Sequence, residues 1–125
     1  MTKEQLQNDL DRFCGSEDFY EYKMLGRFRV FVYTDGIKYL CENAKAYWLL
    51  DAIASYQPKC KKDPMLKDMQ FWTLKKHESG SGATLTCERD SGDVAIKQEI
   101  PYTDFPLDEV KVWLENGTLY LPNER

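Results

Sequence analysis

The chain has 125 residues, 42% of them hydrophobic and 30% charged. That balance excludes a disordered or fibrous protein and suits a single domain, residues 1–125, able to bury its own core. A net charge of −4 and a pI of about 5.0 leave no basic footprint for sequence-independent nucleic-acid binding, and no apolar run approaches a membrane span.

Residues 2–13 predict a first helix. Thr2 and Gln5 form a T-x-x-Q capping box, and Leu6, Leu10 and Phe13 recur on one face. Gly15 stops it, being able to take a left-handed conformation, and Ser16, Glu17 and Asp18 make a polar turn. Tyr20, Tyr22 and Met24 then alternate as a first strand, with Gly26-Arg27 as the turn. Phe28 to Tyr33 is β-branched and aromatic and reads as the next strand.

Thr34 to Ser55 predicts one long central helix, started by Thr34 or Asp35 as the cap. Ile37, Leu40, Cys41, Ala44, Tyr47 and Trp48 form one apolar stripe, which also carries the carboxylate of Asp51. Tyr39, Ala46, Leu49, Leu50 and Ile53 form a second apolar region. A helix apolar on two sides packs on two sides, so this one should lie across a sheet and touch the first helix. Pro58 prevents its continuation, and residues 56–68 read as a basic surface loop.

The remainder is strand-like: Met69–His77, Ala83–Arg89, Val94–Ile100, Val110–Glu115 and Thr118–Leu121. The turns between them include E-S-G-S-G, Asp90-Ser91-Gly92-Asp93 and Asn116-Gly117. Asn-Gly between alternating runs specifies a two-residue hairpin, because both residues accept positive φ. Its register sets Leu114 against Leu119, Val112 against Leu121, and Trp113 against Tyr120. The aliphatic side should meet the central helix, leaving the Trp113–Tyr120 pair partly exposed. The fold class is therefore α+β, with the helices on a mainly antiparallel sheet that ends in consecutive hairpins.

The four cysteines, Cys14, Cys41, Cys60 and Cys87, form no C-x-x-C pair. The start M-T-K-E-Q-L-Q carries no signal-peptide core, so a cytoplasmic protein with reduced thiols is expected. Lysines beside Cys60 would favour its thiolate; otherwise it is an incidental exposed cysteine. His77 is the single histidine and reads as a surface residue at a strand end. No metal-ligand spacing, phosphate-cradling glycine loop or nucleophile elbow is present, and no metal or cofactor is expected.

F-C-G-S-E followed by a tyrosine, then V-Y-T-D-G-I-K-Y-L-C-E-N-A-K-A-Y-W-L-L-D-A-I-A-S, resembles a family of small bacterial and phage proteins known only as a domain of unknown function. The matching residues are Phe13, Gly15, Ser16, Glu17, Tyr20, Tyr33 to Gly36, Lys38 to Leu40, Glu42, Ala44, Ala46 to Asp51, Ile53 and Ala54. They span the first half of the chain. The resemblance implies no activity, cofactor or catalytic residue, but it does imply a phage or mobile-element setting.

Two function classes follow. The first is a non-enzymatic module that binds a protein, for instance a host complex that it inhibits, through an open sheet face carrying Trp113 and Tyr120. The second is a small enzyme or ligand-binding domain using Tyr33, Asp35 and Asp51, favoured if Asp51, Tyr33 and Glu17 converge in a pocket; Arg27 or Arg29 paired with a buried Asp51, or Asp51 at the partly exposed edge of the stripe, would instead make that carboxylate structural. Homodimerisation through the open face is compatible with both.

Overall fold

The alternating runs assemble into one seven-stranded sheet. The computed structural model describes residues 2–13, 18–24, 28–90 and 92–124. The expected stop at Gly15, the turn residues Ser16 and Glu17, the Gly26-Arg27 turn, Ser91 and Cys14 lie outside them. The strands are β1 (Phe19–Met24), β2 (Phe28–Thr34), β3 (Met69–Lys76), β4 (Ala83–Glu88), β5 (Val94–Ile100), β6 (Glu109–Glu115) and β7 (Thr118–Tyr120). Their order across the sheet is β1-β2-β7-β6-β3-β4-β5. Every pairing is antiparallel except β2 with β7, which is parallel through Val32–Thr118 and Tyr33–Leu119. The hairpin register is as expected for Trp113 facing Tyr120 and Leu114 facing Leu119, with Asn116 and Gly117 at φ 49 and 85; β7 ends at Tyr120, so the ladder stops short of the expected Val112–Leu121 pair.

One face of the sheet is aliphatic and carries the core. Trp72 and Leu74 of β3, Leu85 and Cys87 of β4, Val112 and Leu114 of β6 and Leu119 of β7 are all buried on it. Against it lie Ile37, Leu40, Leu49, Leu50 and Ile53. Helix α1 (Lys3–Asp11) has the Thr2–Gln5 capping box and buries Leu6 and Leu10.

The central helix is not continuous. Helix α2 (Asp35–Ala44) ends at Lys45, which is left-handed at φ 52, and α3 (Tyr47–Ser55) begins after Ala46. The amides of Lys45 and Ala46 both return to the Cys41 carbonyl, closing the end of α2. The reason lies in the phase of the apolar residues. Helix α2 buries Ile37, Leu40, Cys41 and Ala44, whereas α3 buries Leu49, Leu50, Ile53 and Ala54. In an unbroken helix of about 3.6 residues per turn these two sets would point roughly half a turn apart. The break rotates α3 so that both sets meet the core. Tyr47 and Asp51, assigned to a buried stripe on the assumption of one straight helix, are thereby exposed.

The 56–68 segment also departs from a plain loop. Helix α4 (Gln57–Cys60) has Pro58 in its first turn, where the missing N–H is harmless, and Gln57, Cys60 and Leu66 are buried. The side chains of Gln57 and Gln70 exchange two amide hydrogen bonds of 2.9 Å. Gln57 also donates to the Ile53 carbonyl at 3.0 Å and Gln70 to that of Leu66 at 2.9 Å, while the Trp72 indole donates to Gln70 at 2.8 Å. This buried polar group is fully satisfied, which is the condition for it to cost nothing.

Two outcomes follow. Lys45→Gly removes the side-chain clash of a left-handed residue and should raise stability by about 0.5–1 kcal/mol in chemical denaturation. Gln70→Ala orphans the Trp72 and Gln57 donors and opens a cavity. It should lower stability by about 2–4 kcal/mol, read from the Trp fluorescence unfolding midpoint.

Candidate functional site

The residues singled out from sequence fall into two separate places. Trp113 and Tyr120 lie on the outer sheet face, opposite the helices. Tyr33, Asp35 and Asp51 lie on the helix side, near edge strand β1.

On the outer face the pairing of β3 with β6 sets Phe71 opposite Trp113. The two rings meet edge to face, with centroids 5.2 Å apart and an interplanar angle of 83°. Trp113 meets Tyr120 in the same manner, at 6.3 Å and 78°. The three rings thus form a row across the three adjacent strands β3, β6 and β7. Phe71 and Trp113 are half-buried. Tyr120 departs from the expected exposure: it is only 7% exposed, and its hydroxyl donates to Glu115 at 2.8 Å. Phe71 was not visible as a site residue, because only the long-range β3–β6 register places it beside Trp113. Its periodicity in the Met69–Lys76 run was the available signal.

Near β1, tyrosines and carboxylates pair one to one. The Tyr20 hydroxyl donates to Asp35 at 2.8 Å, and the Tyr22 hydroxyl donates to Asp51. The Tyr33 and Tyr47 hydroxyls share a hydrogen bond. Lys38 stands 4.3 Å from the centroid of the Tyr20 ring. Asp35 is the first residue of α2, and Thr34 rather than Asp35 caps it through the Ile37 amide at 3.4 Å. Asp51, expected to be buried against Arg27 or Arg29, is instead exposed and satisfied by a phenol. Arg29 is exposed too; Arg27 and Glu17 lie outside the described residues. Each pair reaches from β1 or β2 to α2 or α3, so the cluster ties the outer hairpin to the helices.

The three described cysteines are equally settled. Cys41, Cys60 and Cys87 are free and buried. Burial pushes the Cys60 thiol up, with Asp63 adding to it and Lys59 opposing, so the lysine-activated thiolate is overturned along with the exposed alternative. Cys41 and Cys87 are pushed up to about 12, chiefly by burial. His77 is exposed, as expected, with Nε2 at 3.0 Å from Thr84 and 3.1 Å from Glu99. Among the described residues no group of three or more His, Cys, Asp and Glu side chains is placed to hold a metal ion. Among the described residues no helix is long and apolar enough to cross a membrane.

A sequence-family model described as a family of unknown function, DUF6876, matches residues 4–125, and the chain belongs to that family. The match takes in the hairpins as well as the first half, to which the motif resemblance was confined. No curated protein and no solved structure matches the chain.

The tyrosine–carboxylate pairs predict a pH response. Tyr20 is pushed up to about 12, first by its hydrogen bond to Asp35, and Tyr22 to about 12, first by burial and then by Asp51. Folded-state values above the usual 10.0 stabilise the protein fully below that pH, and the contribution is lost as pH rises towards about 12. Alkaline titration followed by tyrosinate absorbance should show a late class of tyrosines that ionises together with unfolding. Asp35→Asn should move one of them back towards the ordinary range; an unchanged titration would sink this assignment.

Proposed function

We propose, with membership of that family as the premise, that the chain is a non-enzymatic protein-interaction module whose contact surface is the outer sheet face. The observation that supports this most directly is the row Phe71–Trp113–Tyr120 on the side of the sheet away from the helices. Aromatic rings held rigidly by their neighbours offer large contact area at small cost in side-chain entropy, and Trp and Tyr dominate binding energetics at protein interfaces. The acidic net charge argues for a protein partner rather than a nucleic acid. The free, buried thiols of Cys41, Cys60 and Cys87 support a reducing compartment such as the cytoplasm. The resemblance to bacterial and phage proteins makes a host complex, bound and inhibited, the first partner to seek.

A second reading, a small ligand-binding or catalytic site around Tyr33, Asp35 and Asp51, draws on one observation. Those residues do gather along one side of the helices, joined by Tyr20, Tyr22 and Tyr47. Their hydroxyl and carboxylate groups already satisfy one another across the β1–helix contact, which accounts for them structurally.

The test is an affinity capture from nuclease-treated lysate of the native host, comparing wild type with Trp113→Ala. Trp113 is the better position, because Tyr120 is buried and its loss would weaken the fold. A single protein complex retained by the wild type and lost by a folded Trp113→Ala variant is the expected result. Equal retention by the variant would reject this face.

A further inference from the structure

The order of strands leaves β5 at one edge of the sheet, paired with β4 alone. Its outward side chains are Lys97 and Glu99, aligned with Thr86 and Thr84 of β4, and they are 64% and 56% exposed. Ile96 and Ile100 point to the opposite, core-side face, aligned with Cys87 and Ala83. Edge strands commonly use an outward lysine to refuse a neighbour. Here the glutamate two residues along reverses the effect, because the strand becomes complementary to itself when run antiparallel.

We propose that β5 pairs with β5 of a second copy of this chain, antiparallel and centred on Gln98. In this register Lys97 faces Glu99 of the second copy, and Glu99 faces its Lys97. On the core-side face Ile96 meets the second copy's Ile100, twice by symmetry. Moving the centre by one residue sets Lys97 against Lys97 or Glu99 against Glu99, so charge selects this register from its neighbours. Glu99 is prepared for the contact. Its Oε2 is held by His77 at 3.1 Å and Thr84 at 3.0 Å, while Oε1 makes only a 3.9 Å contact with Lys97 of its own chain. Val94 and Tyr102, exposed apolar residues at 49% and 71%, lie towards the two ends of this edge and add apolar surface beside it. The two-fold axis of such a pair runs perpendicular to the sheet. Both copies therefore present their Phe71–Trp113–Tyr120 rows on the same side, and the dimer would be bivalent towards a partner.

The other edge, β1, has Glu21 and Lys23 in similar spacing around Tyr22. Its pairing with β2 shifts register between Tyr22 and Lys23, inside the Glu21–Lys23 charge pair, whereas the shift in β5 falls at Ala95, before the Ile96–Ile100 segment that would pair. The contact is therefore assigned to β5.

Sedimentation velocity on the full chain over a concentration series tests the proposal. The wild type should show a concentration-dependent monomer–dimer equilibrium. Lys97→Glu should weaken it at least about tenfold, with unfolding of the dilute monomer unchanged. The combined Lys97→Glu and Glu99→Lys swap should restore the dimer, since opposite charges face again. A wild type that stays monomeric throughout overturns the proposal, as does a dimer indifferent to Lys97→Glu or a double swap that fails to restore it. A dimer lost on Glu21→Lys or Trp113→Ala instead would place the contact at β1 or on the outer face. Should Lys97→Glu not fold, Lys97→Ala must still weaken the dimer, and a dimer it leaves intact rejects the idea. The result stands apart from partner binding, because Lys97 and Glu99 lie outside the aromatic row.

Discussion

The fold depends on one short junction. The hairpin β1–β2 joins the rest of the sheet only through β7, a strand of three residues paired to β2 in parallel at two positions. So short a ladder would fray without help, and the Glu124 carboxylate supplies it. Glu124 accepts from the Thr34 hydroxyl at 2.7 Å, from the Leu121 amide at 2.9 Å and from the Gly36 amide at 3.3 Å. A negative charge thus sits at the N-terminus of α2, where free amides and the helix dipole favour it. The contact spans most of the chain, from residue 34 to residue 124, and so ties β2 and α2 to the end of β7. It also explains Gly36: a Cβ there would lie 2.5 Å from a Glu124 oxygen and 2.8 Å from Leu121.

What could be read from the sequence is what depends on near neighbours. The Asn116-Gly117 turn, the Thr2–Gln5 capping box and the strand alternations are set by residues a few positions apart, and each is in place. The break at Lys45 is of another kind. Neither proline nor glycine marks it, and Lys45 occupies a left-handed conformation that costs an ordinary residue roughly 1 kcal/mol or more. The only trace in the sequence was the second apolar region, Leu49, Leu50 and Ile53, out of phase with Ile37, Leu40 and Cys41. A helix apolar on two sides can pack on two sides or bend so that both sets face one core. The second solution was chosen here, and it moved Asp51 to the surface.

The same reasoning accounts for the candidate sites. Trp113 and Tyr120 were legible because a two-residue turn fixes their pairing. Phe71 was not, since it reaches Trp113 across a connection of some forty residues that no local pattern encodes. Nor were the tyrosine–carboxylate pairs, because Tyr22 on β1 and Asp51 on α3 meet only once α3 has been reoriented by the break. Their chemistry also argues against reading a carboxylate near tyrosines as catalytic by default. A phenol donating to a carboxylate keeps its proton well above neutral pH, as Tyr20 and Tyr22 do at about 12. Such a group is a strong, fixed donor and a poor proton acceptor.

The two surfaces that remain, the aromatic row and the β5 edge, differ in what they ask of a partner. The row offers side chains only, because its backbone groups are already used by strands on both sides. A partner must bring its own complementary surface there, and specificity would come from shape around Trp113. The edge offers backbone as well, so any extended strand could dock, and selectivity must come from side-chain charge. Lys97 and Glu99 provide it through a pattern that its own reverse complements best. The two surfaces lie in perpendicular directions, the row on the sheet's face and the edge in its plane, so occupancy of one leaves the other open. A sheet with helices on one face can in this way pair with itself sideways and still present its aromatic face to a different protein.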